Sequence, residues 1–214
     1  MQEIKTLLFE LGCVLVELTG IRGMMSWSDL DDEELLHHWM QSASVRKFES
    51  GNCNAADFCN EIVDEFSLST SPDTFLEAFR AWPVPYSGAC ELLEQLSKKF
   101  RIACLSNTNH LHWERFTNEP ELLSHFHVTL PSHLTEKMKP DQEVFHHALD
   151  VLDTHPETIL FMDDSQLNID VALELDINAD LTRSLSGAIE NLIARDLVSK
   201  DMVARDLLAS SNLP

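Results

Sequence analysis

"GACELLEQLSKKFRIACLS", residues 88–106, decides the fold. Its first part spaces Leu92, Leu93 and Leu96 as one face of a helix, and its last part is a short apolar strand ending in a hydroxyl. The same unit recurs downstream. "NHLHWERF" (109–116) precedes "FHVTL" (126–130), "DQEVFHHALDVL" (141–152) precedes "TILFMDD" (158–164), and "SQLNIDVALEL" (165–175) precedes a weak strand at 177–181. Strands alternating with helices predict a parallel sheet covered on both faces.

Working towards the N-terminus, "LLFELGCVL" (7–15) supplies a first strand over residues 4–9. Residues 28–82 read as helical. "SDLDDEELLHHWM" (28–40) opens with Ser28 as an N-cap candidate and acids in the first turn, where they suit the helix dipole. "NAADFCNEIVDEF" (54–66) puts Phe58, Ile62 and Phe66 on one face, and "PDTFLEAFRAW" (72–82) starts with a proline suited to a first turn. "WPVPYSG" (82–88) breaks the pattern and reads as a hinge. The expected organisation is an α/β core, residues 1–20 and 83–214, with a small helical cap inserted at 21–82. The tail, 184–210, reads as an amphipathic helix packed on the sheet, with dimerisation as a second use; the chain is compatible with a monomer or a homodimer.

The composition limits the partners. Thirty-six acids against 15 bases give a net charge of -21 over 214 residues. Such a surface repels nucleic-acid backbones and anionic lipid, so neither nucleic acid nor membrane is an expected partner. The cysteines, Cys13, Cys53, Cys59, Cys90 and Cys104, form no C-x-x-C pair, and several lie in apolar runs, as reduced thiols of a cytoplasmic protein do. No secretory signal or membrane-spanning run is evident.

In an open parallel sheet, ligands bind beyond the carboxyl ends of the strands. The first strand ends in Glu10, Gly12 and Cys13, the next in Ser106, Asn107, Thr108 and Asn109, and a later one in Asp163, Asp164 and Ser165; Lys139 precedes a proline in "EKMKPDQEVF". Clustered carboxylates repel one another unless a cation shares the site, and a hard divalent ion with oxygen ligands, Mg²⁺, answers that need. Ser106, Lys139 and backbone N–H groups of the first loop could then hold a phosphate, a set suited to phosphoryl transfer.

At these positions the chain resembles the haloacid dehalogenase-like (HAD) hydrolases. "LLFELGCVL", "LSNTN", "KPDQEVF" and "LFMDDSQLN" look like the family's four motifs in order. "LSNTNHLHWERF" and "DDSQLN" are most similar to a bacterial branch of sugar-phosphate phosphatases related to the alpha-D-glucose-1-phosphate phosphatases. The resemblance implies a Rossmann-like core with a helical cap and a Mg²⁺-dependent phosphatase of a small phosphorylated substrate. It implies a nucleophile and metal ligand at Glu10 and a main-chain metal ligand at Gly12. Asp164 is implied as a direct metal ligand, with Asp163 as ligand or neighbour. Ser106 and Asn107 would hold phosphoryl oxygens, and Lys139 would stabilise the nucleophile and the transferring group.

Two positions depart from the family. The family's nucleophile is aspartate, and Glu10 carries one methylene more; a misplacement of about 1 Å costs on the order of 10²-fold in rate. Many members carry a second aspartate where this chain has Gly12, which cannot move a proton. Glu17 and the cap histidines are the substitutes the sequence offers. The alternative function is a catalytically inactive relative that binds metal or phosphate. Dehalogenation ranks third, and zinc binding by "HLH" (110–112) or "HFH" (125–127) lacks a recognisable ligand set.

Overall fold

The computed structural model describes residues 2–199. In chain order, β1 (Thr6–Phe9) and β2 (Val16–Leu18) precede the helices α1 (Gly20–Met25), α2 (Asp32–Gln41), α3 (Ala43–Glu49), α4 (Ala55–Glu65) and α5 (Pro72–Arg80). There follow β3 (Pro83–Pro85), α6 (Ala89–Ser97), β4 (Arg101–Ser106), α7 (His110–Asn118), β5 (Val128–Pro131), α8 (Ser132–Thr135) and α9 (Gln142–Leu152). The remaining elements are β6 (Ile159–Asp163), α10 (Gln166–Glu174), β7 (Asn178–Leu181) and α11 (Ser184–Ala194).

The five-stranded sheet has the order β5–β4–β1–β6–β7, and every pair in it is parallel. Period-two alternation explains its two buried faces. Leu7, Phe9, Ile102, Cys104, Leu160 and Met162 face one way, onto apolar side chains of α6, α7 and α11. Leu8, Ala103, Leu105, Ile159 and Phe161 face the other way, onto α9 and α10. The result is the three-layer α/β core expected from the alternating pattern.

The register positions the chemistry. Phe9 pairs with Cys104 on one side and Met162 on the other. The residues just beyond these pairs, Glu10, Ser106 and Asp163, therefore emerge at the same sheet edge.

The helical insert has an apolar centre of its own, built from Phe48, Phe58, Ile62, Phe66, Phe75, Phe79 and Trp82. Phe48 and Phe58 stack with ring centroids 4.0 Å apart. The insert leaves and rejoins the core through β2 and β3, which pair antiparallel. Gly20 sits at this junction because a Cβ there would fall within the Trp82 ring.

Several local expectations change. Asp31, not Ser28, caps α2: its side chain accepts the N–H groups of Glu33 and Glu34, and Glu34 returns a bond to its backbone. A full capping box outcompetes a lone serine. "WPVPYSG" holds a strand as well as a break, since prolines are tolerated in a two-stranded ribbon whose outer edges need no donor. The helix after Lys139 begins at Gln142, one residue later than the stretch 141–152 suggests. Cys59 and Cys104 are buried, whereas Cys13, Cys53 and Cys90 are half-buried; all are free. Within the tail, α11 packs Leu185, Ala188 and Leu192 on the sheet; the part of that predicted helix beyond residue 199, including "ARDLL" (204–208), lies outside the described residues. No helix among the described residues is long and apolar enough to cross a membrane.

Candidate active site

Glu10 follows β1 and is buried, at 6% exposure. Its Oε1 accepts the N–H of Leu11 at 2.7 Å, the N–H of Gly12 at 3.0 Å and the Ser106 hydroxyl at 2.5 Å. Its Oε2 pairs with the Lys139 ammonium and faces the Asn107 N–H at 3.4 Å. These donors come from the ends of β1 and β4 and from the loop before α9. The extra methylene of glutamate carries the carboxylate into their midst.

Lys139 is buried and donates to Glu10, to Asp163 Oδ2 at 2.6 Å and to the Leu105 carbonyl at 2.8 Å. Burial alone would lower its ammonium, but Asp163 and then Glu10 outweigh burial and raise it, so it stays charged. Asp163 is fully buried. Its Oδ1 accepts the Ser165 N–H at 2.9 Å and the Asn168 amide at 2.8 Å. Its carboxylate is thus spent on holding Lys139 and the start of α10, which favours the neighbour role over direct ligation. Ser165, at the N-cap position of α10, makes no capping bond with its side chain.

Asn107 is divided in function. Its side chain bonds the Lys139 backbone twice, Nδ2 to the carbonyl at 2.9 Å and Oδ1 from the N–H at 3.0 Å. Only its own N–H faces the carboxylate. Its side-chain amide thus fixes the lysine loop, and its backbone N–H is the group that faces the Glu10 carboxylate.

Asp164 lies beside this ring, in a cleft with Glu10, Gly12 and Cys13. Burial, together with Glu10 and Asp163, pushes its acid up to about 6. Burial, helped by Asp164 and Glu10, pushes the Cys13 thiol up to about 12, so it is no thiolate nucleophile. Among the described residues no trio of acidic, histidine or cysteine side chains stands ready-made around a metal position, because Glu10 is turned to its donors. The donor chemistry nevertheless fits a hard divalent ion: the Glu10 and Asp164 carboxylates line one cleft with Gly12, and Lys139 offsets only part of the repulsion that raises the Asp164 acid.

The cleft has a volume of about 500 Å³. Its core side carries Glu10, Asn107, Lys139 and Asp164, and its insert side carries Trp39, Met40, Arg46 and Glu49. Glu49, Leu18 and Asn168 also line the cleft, and nothing in the sequence marks them as site residues. The cap histidines and Glu17 do not line this cleft. His112 is buried and bonds the Phe79 carbonyl at 2.8 Å, which accounts for one histidine of "HLH". His127 Nδ1 accepts the Ile102 N–H at 3.0 Å, which accounts for one histidine of "HFH".

A model of the haloacid dehalogenase-like hydrolases matches residues 37–176. Among solved structures, an HAD-family enzyme of Bacteroides thetaiotaomicron is 26% identical, with a TM-score of 0.70 over 85% of this chain and 95% of its own. That enzyme's complex with magnesium and inorganic phosphate aligns at 25% identity and a TM-score of 0.69, over 84% and 94% of the two chains. The L-2-haloacid dehalogenase of Xanthobacter autotrophicus, at 17% identity and a TM-score of 0.63 over 99% and 85%, shares the fold.

Proposed function

Because the chain belongs to the haloacid dehalogenase-like hydrolases, we propose that it is a Mg²⁺-dependent phosphatase of small phosphate monoesters, sugar phosphates among them, with Glu10 as nucleophile. The observation that carries this reading is the ring of donors around the Glu10 carboxylate: two backbone N–H groups, a hydroxyl and an ammonium. Such a ring stabilises a phosphoryl group as well as a carboxylate. The magnesium and phosphate complex of the Bacteroides enzyme supports the same ligand class.

For a phosphate to enter, one Glu10 oxygen must leave the ring and face phosphorus. It then attacks, the alcohol departs, and water hydrolyses the acyl-phosphate. Lys139, held by Asp163, balances charge on the phosphoryl oxygens, and Ser106 donates to one of them. Mg²⁺, held by Asp164, the Gly12 carbonyl and Glu10, would supply further charge neutralisation. Residues 21–82 act as a cap over the core of 1–20 and 83–214, and the protein works in the cytoplasm.

The test is phosphate release from 4-nitrophenyl phosphate with and without Mg²⁺. Release that needs Mg²⁺ and disappears in Asp164→Ala is expected. Absence of release across a broad panel of phosphate monoesters overturns the reading.

A further inference from the structure

A phosphate monoester with a poor leaving group needs a proton donor, and Gly12 cannot supply one. A Cβ at Gly12 would stand 3.2 Å from Leu18 Cδ1, so a side chain there would require Leu18 to give by a few tenths of an ångström. The proton must come from elsewhere in the cleft.

The cleft's other titratable groups are engaged. Lys139 has spent its donors on Glu10, Asp163 and Leu105. Arg46 pairs with Asp141. Cys13 lies against Asp164, which the proposed function reserves for the metal. Glu49 differs from these: its carboxyl makes no hydrogen bond or ion pair among the described residues, yet it lines the cleft with Glu10, Gly12, Asn107 and Lys139.

The backbone of Glu49 is fixed although its carboxyl is free. Glu49 is the last residue of α3, and the Ser132 hydroxyl donates to its carbonyl at 2.6 Å. The same hydroxyl accepts the Thr108 N–H at 2.9 Å, which links Glu49 to the loop that begins at Ser106. Two residues on, Gly51 has φ +79° and abuts the core so closely that a Cβ there would lie 2.6 Å from the His133 carbonyl. The insert is therefore clamped to the core at the point where it presents Glu49 to the cleft.

We infer that Glu49, contributed by the insert, is the acid–base group of this site, in place of the acid that position 12 lacks. This rests on the phosphatase reading above. In the first half-reaction a Glu10 oxygen bonds phosphorus, the bond from phosphorus to the alcohol oxygen breaks, and the Glu49 carboxyl gives its proton to that oxygen. In the second half the Glu49 carboxylate takes a proton from water as the water oxygen bonds phosphorus. The bond from phosphorus to Glu10 breaks, and phosphate leaves. Burial and the Glu10 charge raise the Glu49 acid to about 7, against a smaller pull from Lys139, so both forms are present near neutrality.

The experiment compares Glu49→Gln with the natural chain on 4-nitrophenyl phosphate, whose leaving group needs no proton, and on glycerol phosphate, whose leaving group does. The pair is run also in a Glu10→Asp background. Loss of about 10²–10⁴-fold in kcat/KM on glycerol phosphate, with a much smaller loss in kcat/KM on 4-nitrophenyl phosphate, is expected, because that ratio reports the step in which the alcohol leaves. On both esters kcat should fall wherever hydrolysis of the phosphorylated Glu10 limits turnover. Glu49→Asp, which keeps a carboxyl, should recover part of the glycerol phosphate rate. Equal loss of kcat/KM on both esters, or no loss on either, overturns the assignment and leaves the phosphatase reading standing. No release from either ester in both backgrounds overturns the phosphatase reading and the assignment with it.

Discussion

Asp163 Oδ2 accepts a hydrogen bond from Lys139 Nζ at 2.6 Å, and both side chains are almost wholly excluded from solvent. Lys139 is thereby shared between Asp163 and Glu10, and each anion depends on it. Breaking a buried pair by removing one partner leaves an uncompensated charge, which costs about 3–5 kcal/mol. Lys139→Met should lower the unfolding free energy measured by urea titration by that amount, and Asp163→Ala should do the same with Lys139 left short of an anion. A fall of under about 1 kcal/mol in both variants, the range of exposed pairs, would show that these charges are solvated.

Gly12→Asp should not restore a catalytic acid. The new Cβ meets Leu18 Cδ1 at 3.2 Å, so Leu18 must move by a few tenths of an ångström, at a cost of up to about 1 kcal/mol, the low end for overpacking. Thermal melts should place Gly12→Asp below the natural chain, with Leu18→Ala in the same chain relieving the crowding. Additive losses in the double variant would contradict this packing account.

A large part of the fold was legible because alternation and amphipathic spacing are local signals. The strand ends at Glu10, Ser106 and Asp163 followed from them, since parallel strands in register deliver their last residues to one edge. The use each side chain makes of its atoms was not legible. Asn107 spends its amide on the Lys139 backbone, and Asp163 spends its carboxylate on Lys139, Ser165 and Asn168; both depend on contacts between residues distant in sequence. Glu49 was hidden for the same reason. In the sequence it is one acid among 36, and only the clamp through Ser132 and Gly51 brings it to the cleft.

His112 makes stability depend on pH. Burial drives its imidazole down to about 4, from an ordinary value of 6.5. Its Nε2–H donates to the Phe79 carbonyl at 2.8 Å, while Nδ1 accepts from the Asn109 amide at 3.2 Å. Between these two values the unfolded chain binds the extra proton and the folded chain does not. The stabilisation is therefore complete above pH 6.5 and is lost as pH falls towards 4, to a total of about 3 kcal/mol. The carboxyls of Glu49 and Asp164, raised on folding, act in the opposite direction, so the measurement is a difference. Urea unfolding of the natural chain and of His112→Gln, between pH 7 and pH 4.5, should show a shallower acid loss in the variant. Parallel pH profiles would assign the acid sensitivity elsewhere.

The proposed phosphoryl site depends on the donors that enclose the Glu10 carboxylate, and shortening that residue by one methylene tests it most directly. Glu10→Asp withdraws the carboxylate from between Ser106, Lys139 and the Leu11 and Gly12 N–H groups, leaving them to an incoming phosphate. Mg²⁺-dependent phosphate release from 4-nitrophenyl phosphate should then rise over the natural chain, on the order of 10²-fold. Release by neither the natural chain nor Glu10→Asp, with both folded and Mg²⁺ present, would contradict the account.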